Sequence, residues 1–140
     1  MPEKTFQHFH RVTYSECTVG NHIYYARYLD LLEEARGEFF RSLGIPLLQL
    51  QADGTIFPVI ESHVRYKMAA RYDDLLEIET WLTRLQGVRI NFASRVRNQA
   101  GQLVLEAETF HACAGWDEKP KRIPQNALEG LRIYLHEGDS

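Results

Sequence analysis

The chain has 140 residues, a size that suits one folded domain whose core needs no metal or disulfide to form. Its 44% hydrophobic, 25% charged and 11% aromatic residues are close to globular averages, which excludes disorder and low complexity. A net charge of −3 argues against binding to a nucleic-acid backbone. We therefore expect a single domain over residues 1–140.

Neither a membrane span nor an export signal is visible in the sequence. No apolar run reaches the roughly 18 residues that a span needs, and the start, Met-Pro-Glu-Lys-Thr, lacks the apolar stretch of a signal peptide. We therefore expect a cytoplasmic protein without a membrane partner. The two cysteines, Cys17 and Cys113, have no CxxC spacing, so we predict reduced thiols and no zinc or other metal site.

The first elements follow from a change of hydrophobic period. Alternation over residues 5–14 predicts a strand, and polar residues over 15–21 predict a loop. An amphipathic helix is predicted over residues 22–43, with Asn21 as its N-cap and Gly44 and Pro46 at its end. Its apolar side chains recur at three- and four-residue steps: Tyr25, Tyr28, Leu32, Ala35, Phe39 and Leu43.

The two-residue period returns after the turn at residues 52–54. It predicts strands over 60–68, 76–82, 88–96 and 103–116, the first of them with one buried face, and a terminal helix over 125–136. Short connections make neighbouring strands antiparallel. The order strand, long helix, four strands, short helix predicts an α+β fold in which an antiparallel sheet wraps around one long central helix.

Three segments resemble one known family. Residues 14–36 (YSECTVGNHIYYARYLDLLEEAR), 66–74 (YKMAARYDD) and 116–124 (WDEKPKRIP) are similar to segments of the 4-hydroxybenzoyl-CoA thioesterase-like branch of the hotdog-fold acyl-CoA thioesterases. The resemblance implies a hotdog fold and hydrolysis of an acyl-CoA or acyl-carrier-protein thioester, with coenzyme A only as part of the substrate. It also implies a homodimer with its site at the subunit interface, often paired into a homotetramer.

One position departs from the family pattern. Members of this branch usually carry an Asp in the loop before the helix as nucleophile or general base, and this position holds Thr18. A neutral hydroxyl cannot accept a proton at pH 7 and needs a base to become a nucleophile. The family also uses a backbone N–H that corresponds to that of Tyr25, so the resemblance implies an oxyanion donor there, which side-chain changes do not remove.

Three arrangements remain open for the attacking water. Glu16 would reach the same cavity as Thr18 along an extended chain, and the alternative for it is a structural or capping role. His22 has the side chain that titrates near neutrality and is a candidate base, with a surface or capping position as the alternative. Thr18 and Asn21 are also able to hold a water by hydrogen bonds without taking its proton. A thiol nucleophile at Cys17 is disfavoured because nothing in the sequence positions a base for it.

The stretch over residues 16–25 also resembles enediyne polyketide thioesterases. These hotdog proteins place a neutral Asn at the position of Thr18 and are thought to use an Arg at the position of Arg36. Arg36 lies eleven residues after Tyr25, about three turns, and therefore on nearly the same helix face. An ion pair with a neighbouring Glu is the alternative for Arg36.

Binding of coenzyme A and of the acyl group involves further candidates. Four cations are candidates for the coenzyme A phosphates, with solvated loop positions as the alternative: Arg71, Lys119, Lys121 and Arg122. Pocket depth depends on the packing of Phe39, Phe40, Leu47 and Leu50 against a partner subunit.

The rival function is a non-catalytic acyl-thioester binding protein that has lost the usual Asp. A dehydratase on the same fold is disfavoured because its His and carboxylate occupy a different motif.

Overall fold

The computed structural model describes residues 3–137 and consists of a five-stranded antiparallel sheet with one long helix. The strands are β1 (Phe6–Arg11), β2 (Val59–Tyr66), β3 (Leu75–Gln86), β4 (Arg89–Arg97) and β5 (Leu103–Ala112), in the spatial order β1-β3-β4-β5-β2. The helices are α1 (Arg27–Ser42), α2 (Leu47–Ala52) and α3 (Gln125–Leu131). This is the predicted α+β architecture.

The core lies between α1 and the sheet. Phe39 of α1 is completely buried, with its ring stacked on Phe6 of β1 and edge-on to Phe92 of β4. Burial of one such ring contributes about 1.5–3 kcal/mol, so this face holds the helix on the sheet. The buried side chains of α1 are Tyr28, Leu31, Leu32, Ala35, Phe39 and Phe40.

The start of α1 differs from the prediction. The helix begins at Arg27 instead of residue 22, and its N-cap is Ala26, which has no capping side chain. Asn21 is not the N-cap, because it adopts a left-handed conformation (φ 62°) in the preceding loop. The helix starts later than predicted because of a tertiary contact: the Ile23 N–H donates to the Ala70 carbonyl at 2.9 Å, which holds this part of the chain extended.

Strand β2 is more exposed than predicted. It is an edge strand paired only with β5, and every side chain except that of Val64 is exposed to solvent. The alternation at 60–68 therefore does not produce a buried face within one chain. An edge strand with unpaired backbone groups and exposed apolar side chains is a surface that another chain is able to pair with.

Strand β5 and helix α3 also end earlier than predicted. Strand β5 ends at Ala112 instead of 116, because Ala114 exchanges backbone hydrogen bonds of 2.9 Å in both directions with Ile56 and draws the chain towards α2. Helix α3 ends at Leu131, and a 3-10 turn over 132–134 replaces the rest of the predicted helix.

Cys17 and Cys113 are free thiols. Among residues 3–137, no helix combines the length and the apolar character that crossing a membrane requires. The same residues contain no cluster of three or more His, Cys, Asp or Glu side chains arranged to hold a metal ion.

Candidate active site

A tight loop before α1 carries several of the predicted site residues. The Thr18 N–H donates to the His22 carbonyl at 2.9 Å, and the Asn21 N–H donates to the Thr18 carbonyl at 3.0 Å. Gly20 and Asn21 both have left-handed backbones, with φ of 86° and 62°. A Cβ on Gly20 would lie 2.8 Å from Nε2 of His22, so the imidazole packs directly against the glycine. The loop thus brings Thr18, Asn21 and His22 together.

The start of α1 offers unpaired backbone donors directly after this loop. The Tyr24 N–H donates to the Glu16 carbonyl at 3.1 Å, and the Arg27 N–H donates to the Tyr24 carbonyl at 2.8 Å. Between them, the amides of Tyr25 and Ala26 donate to no acceptor within residues 3–137. The hydrogen bond from Arg27 to Tyr24 closes a turn that leads into α1, so both amides lie next to the positive end of the helix and are suited to bind an anionic oxygen.

Glu16 does not lie in an extended segment, and the prediction that it points to the same side as Thr18 on that ground is wrong. It ends a 3-10 turn (Tyr14–Glu16), where Oε1 accepts the Thr13 N–H at 2.8 Å and pairs with Nε2 of His10 at 2.9 Å. Burial alone would raise the pKa of Glu16, but the hydrogen bonds from His10 and Thr13 outweigh it and lower the pKa. Its carboxylate is therefore committed to holding the loop.

Arg71 also supports this loop. Its Nη1 donates to the Gly20 carbonyl at 3.1 Å, and its backbone forms an antiparallel bridge with His22. The cation predicted to bind coenzyme A phosphates therefore lies beside the loop that carries Thr18.

The other predicted phosphate ligands lie on the segment after β5. The Lys121 ammonium donates to Thr55 Oγ1 at 2.7 Å and to the Gly54 carbonyl at 3.3 Å, contacts that support the loop after α2. Lys119 and Arg122 are exposed. Lys119 and Arg122 therefore remain predicted phosphate ligands, whereas the contacts of Lys121 favour a structural role.

Cys17 has surroundings that favour the thiol over the thiolate. Its Sγ donates to the Thr13 carbonyl at 3.5 Å, and burial together with the nearby negative charge of Glu16 raises its pKa. A raised pKa lowers the thiolate fraction, which agrees with the expectation that Cys17 is not the nucleophile.

Arg36 lines a cavity of about 270 Å³ away from the loop. It forms neither an ion pair nor a hydrogen bond within residues 3–137, so the alternative of an ion pair with a neighbouring Glu is not found in this part of the chain. Burial lowers the pKa of the guanidinium, and the charge of Glu33 only partly offsets this. The cavity is lined by Glu33, Arg36, Phe40, Leu47, Gln51, Thr55, Ile56, Phe57, Pro58, Val59, Phe92 and His111.

The predicted acyl-pocket residues divide between this cavity and the core. Phe40 and Leu47 line the cavity, whereas Phe39 and Leu50 are buried away from it.

His111 is a cavity residue that the sequence did not identify. Nδ1 lies 3.0 Å from the Phe57 carbonyl, which only accepts, so Nδ1 carries the proton and Nε2 accepts from Thr109 Oγ1 at 2.9 Å. Burial lowers the pKa of His111 to about 4, so the ring is neutral. The available signal was the polar pair Thr109 and His111 at inward positions of an otherwise apolar strand face.

An exposed aromatic surface adjoins the start of α1. Tyr25 is 62% exposed, with its ring 5.1 Å from that of Tyr24 and 6.2 Å from that of Tyr66 on β2. Val19 in the loop and Met68 after β2 are also exposed. Contiguous exposed apolar side chains mark interaction surfaces, and we call the three tyrosines linked by these ring contacts, Tyr24, Tyr25 and Tyr66, the tyrosine surface.

Sequence comparisons relate the chain to known proteins. A sequence model of the thioesterase-like superfamily matches residues 12–131. The acyl-CoA thioester hydrolase YbgC of Escherichia coli is 33% identical over 119 residues, which cover 84% of this chain and 89% of that protein. These matches agree with the resemblance found in the sequence.

Two solved structures share the fold. A hypothetical protein from Thermus thermophilus is 28% identical, with a TM-score of 0.87 over 96% of this chain and all of the other (100%). The dynemicin thioesterase, 22% identical with a TM-score of 0.87 over 95% of this chain and 99% of its own, supports a likeness of fold alone. The predicted hotdog fold is confirmed.

Proposed function

Because the chain belongs to the thioesterase-like superfamily, we propose that it hydrolyses the thioester of an acyl-CoA or of an acyl-carrier protein. The observation that carries this proposal is the pair of unpaired amides at the start of α1, placed directly after the loop with Thr18, Asn21 and His22. Hydrolysis needs a donor for the oxygen that becomes negative and a group that delivers water, and this region offers both.

The Tyr25 N–H binds the thioester oxygen in this mechanism. Negative charge develops on that oxygen as water adds to the carbonyl carbon, so a donor fixed there stabilises the transition state more than the substrate. One such donor contributes about 2.7–4 kcal/mol in other enzymes. The partial charge of the helix start adds to the effect.

The loop before α1 delivers the water. The side chains of Thr18 and Asn21 form no hydrogen bond within the described part of the chain, so both are available to orient a water molecule. Since Glu16 is occupied by His10 and Thr13, we assign the base to His22, whose imidazole packs against Gly20 in the same loop. Thr18 then positions the water and does not remove its proton.

A second copy of the chain completes the site in this proposal. Strand β2 is an unpaired edge next to the tyrosine surface, and two copies related by a twofold axis would pair their β2 strands antiparallel. Pairing would cover both the exposed edge and the aromatic side chains. We therefore propose a homodimer; two such dimers could then form a tetramer.

Antiparallel pairing has a consequence for the site. The Tyr66 end of β2 lies next to Tyr25 and the start of α1, whereas Val59 at the other end lines the Arg36 cavity. Antiparallel pairing places the Tyr66 end of one copy beside the Val59 end of the other. The donors of one subunit would thus face the cavity of its partner, which provides a place for the acyl group.

The test is hydrolysis of a panel of acyl-CoA and acyl-carrier-protein thioesters, measured by release of the free thiol. Thr18→Asp restores a carboxylate base, so we expect kcat/KM to rise by about 100-fold, within the usual contribution of a positioned base. Thr18→Asn is the matched control of the same size without charge, and we expect little change from it. Absence of turnover on every thioester, with ligand binding in both the wild type and Thr18→Asp, would contradict hydrolysis and support the binding-protein alternative.

A further inference from the structure

The Arg36 cavity is separate from the donors in the same chain. Arg36 lies eleven residues after Tyr25, about 16 Å along α1, and the cavity is enclosed by α1, α2, the loop before β2 and the sheet. Its volume is about 270 Å³, enough for part of a small molecule. The polar groups of the cavity determine which ligand it accepts.

The guanidinium of Arg36 has no acceptor of its own within residues 3–137. Glu33, one turn earlier on α1, lines the cavity but is exposed and forms no ion pair with Arg36. Both nitrogens of His111 are taken by Phe57 and Thr109, so this ring offers Arg36 no lone pair. A partly buried cation without acceptors is costly, and the cost is recovered when a ligand supplies an oxygen.

The remaining walls of the cavity are largely apolar. The rings of Phe40 and Phe57 are stacked with centroids 5.5 Å apart, and Phe92 packs edge-on to Phe40. Leu47 and Ile56 complete this part of the lining. Such walls suit a hydrocarbon chain or an aromatic ring, while Arg36 provides five N–H donors in a planar arrangement that fits a carboxylate.

We propose that this cavity binds an acyl group with an apolar body that ends in a carboxylate, and that the guanidinium of Arg36 binds that carboxylate. The inference rests on the proposed function, since it assigns the cavity to the acyl part of a thioester substrate. It makes Arg36 a specificity residue that contacts the far end of the acyl group.

The experiment compares acyl groups that differ only at their far end. The first pair is 4-carboxybenzoyl-CoA and 4-methylbenzoyl-CoA, and the second is adipoyl-CoA and hexanoyl-CoA. A charge-assisted hydrogen bond predicts that the wild type favours the carboxylate of each pair by about tenfold or more in kcat/KM. In Arg36→Met, which keeps the apolar stem of the side chain and removes the guanidinium, we expect this preference to disappear because the loss in kcat/KM falls on the carboxylate member of each pair.

Two controls separate this role from others. Arg41→Met removes an exposed arginine of the same helix that pairs with Glu38, and we expect it to keep the carboxylate preference. An equal decrease in kcat/KM for both members of a pair in Arg36→Met would show that Arg36 acts at the thioester, and would overturn the proposal. A wild type that favours the uncharged member of each pair would also overturn it.

Binding is measured independently of turnover. Nonhydrolysable analogues of the first pair, in which a methylene separates the sulfur from the carbonyl, are titrated calorimetrically into the wild type and Arg36→Met. If the wild type binds the carboxylate analogue more tightly than the uncharged analogue and Arg36→Met does not, the result supports the proposal. This holds even if no thioester is hydrolysed, because missing hydrolysis would contradict only the proposed function. Equal binding of the two analogues to the wild type overturns the inference.

Discussion

Neighbouring polar residues before α1 have different roles because their surroundings differ. The carboxylate of Glu16 is a stronger base than the hydroxyl of Thr18, but it is bound to His10 and to the Thr13 amide. Thr18 has a free hydroxyl in the part of the chain described. The oxyanion donor that we propose is a main-chain group, the Tyr25 amide, which a substitution of the side chain leaves in place.

Tyr25→Pro removes this amide, and Tyr25→Phe keeps it. Tyr25 precedes the N-cap of α1 and its N–H donates to no acceptor within residues 3–137, so proline removes no hydrogen bond of the described chain and we expect the fold to survive. Loss of one oxyanion donor predicts a decrease in kcat of about 100-fold or more for Tyr25→Pro and little change for Tyr25→Phe. Steady-state kinetics with circular dichroism as a check on folding measures this, and equal activity of the two variants would exclude the amide as the donor.

Between elements, one histidine connects β1, α1 and the loop before α1. His10 of β1 pairs with Glu16 of the loop at 2.9 Å and with Glu34 of α1 at 3.1 Å, and His8 also pairs with Glu34 at 2.7 Å. Burial alone would lower the pKa of His10, but the two carboxylates outweigh it and raise the pKa above the ordinary value of 6.5. Protonated His10 therefore stabilises the position of the loop relative to the helix.

The raised pKa of His10 and the lowered pKa of Glu16 predict that the stability of the fold depends on pH. The His10 contribution is fully present below about pH 6.5 and is lost as the pH rises through the raised pKa, whereas that of Glu16 is present above about pH 4.5 and is lost as the pH falls through its lowered pKa. We expect His10→Gln to lower the free energy of unfolding by about 1–2 kcal/mol at pH 6, and by less at pH 9.

Urea unfolding at both pH values tests this coupling. His63→Gln is the matched control, because His63 is an exposed histidine whose partner Glu61 is also exposed. If His10→Gln lowers the free energy of unfolding by the same amount at pH 6 and pH 9, the stabilisation does not depend on protonated His10.

The elements themselves could largely be predicted from the sequence, because hydrophobic period reports which side of a strand or helix is buried. The start of α1 was misplaced because apolar residues at helical spacing continue back to Tyr25, while a tertiary hydrogen bond from Ile23 to Ala70 keeps that segment extended. The His10 network joins residues 24 positions apart, and local patterns carry no information on such contacts. The resemblance to the family pointed to the loop before α1 and to Thr18. The place of His111 in the cavity became visible only in the packed structure.

For the whole molecule, the proposed dimer depends on one edge of the sheet. β2 lies beside the tyrosine surface, and its pairing with a second copy would create a continuous sheet of ten strands, two times the five observed. The site and the interface would then be the same region, so activity and association should be lost together.

Ile60→Lys places a charge on the β2 edge, where the side chain of Ile60 is 53% exposed and contributes little to the core. We expect this variant to be monomeric at micromolar concentration and to lose most of its hydrolysis, because a buried lysine without a partner opposes pairing. Ile133→Lys is the matched control, since Ile133 is 58% exposed and follows α3. Analytical ultracentrifugation with activity at the same concentrations measures both, and a fully active Ile60→Lys monomer would contradict a shared site.

The two edge strands of the sheet differ: the pairing of β2 has a register shift between Val59 and Glu61, and the pairing of β1 has none. In the proposed dimer the twofold axis uses the β2 edge of both copies, so neither copy has a free β2 edge left for head-to-tail growth into a filament. Self-association through β2 would then end after two copies, and we expect concentrated solutions of the protein to stay free of fibres.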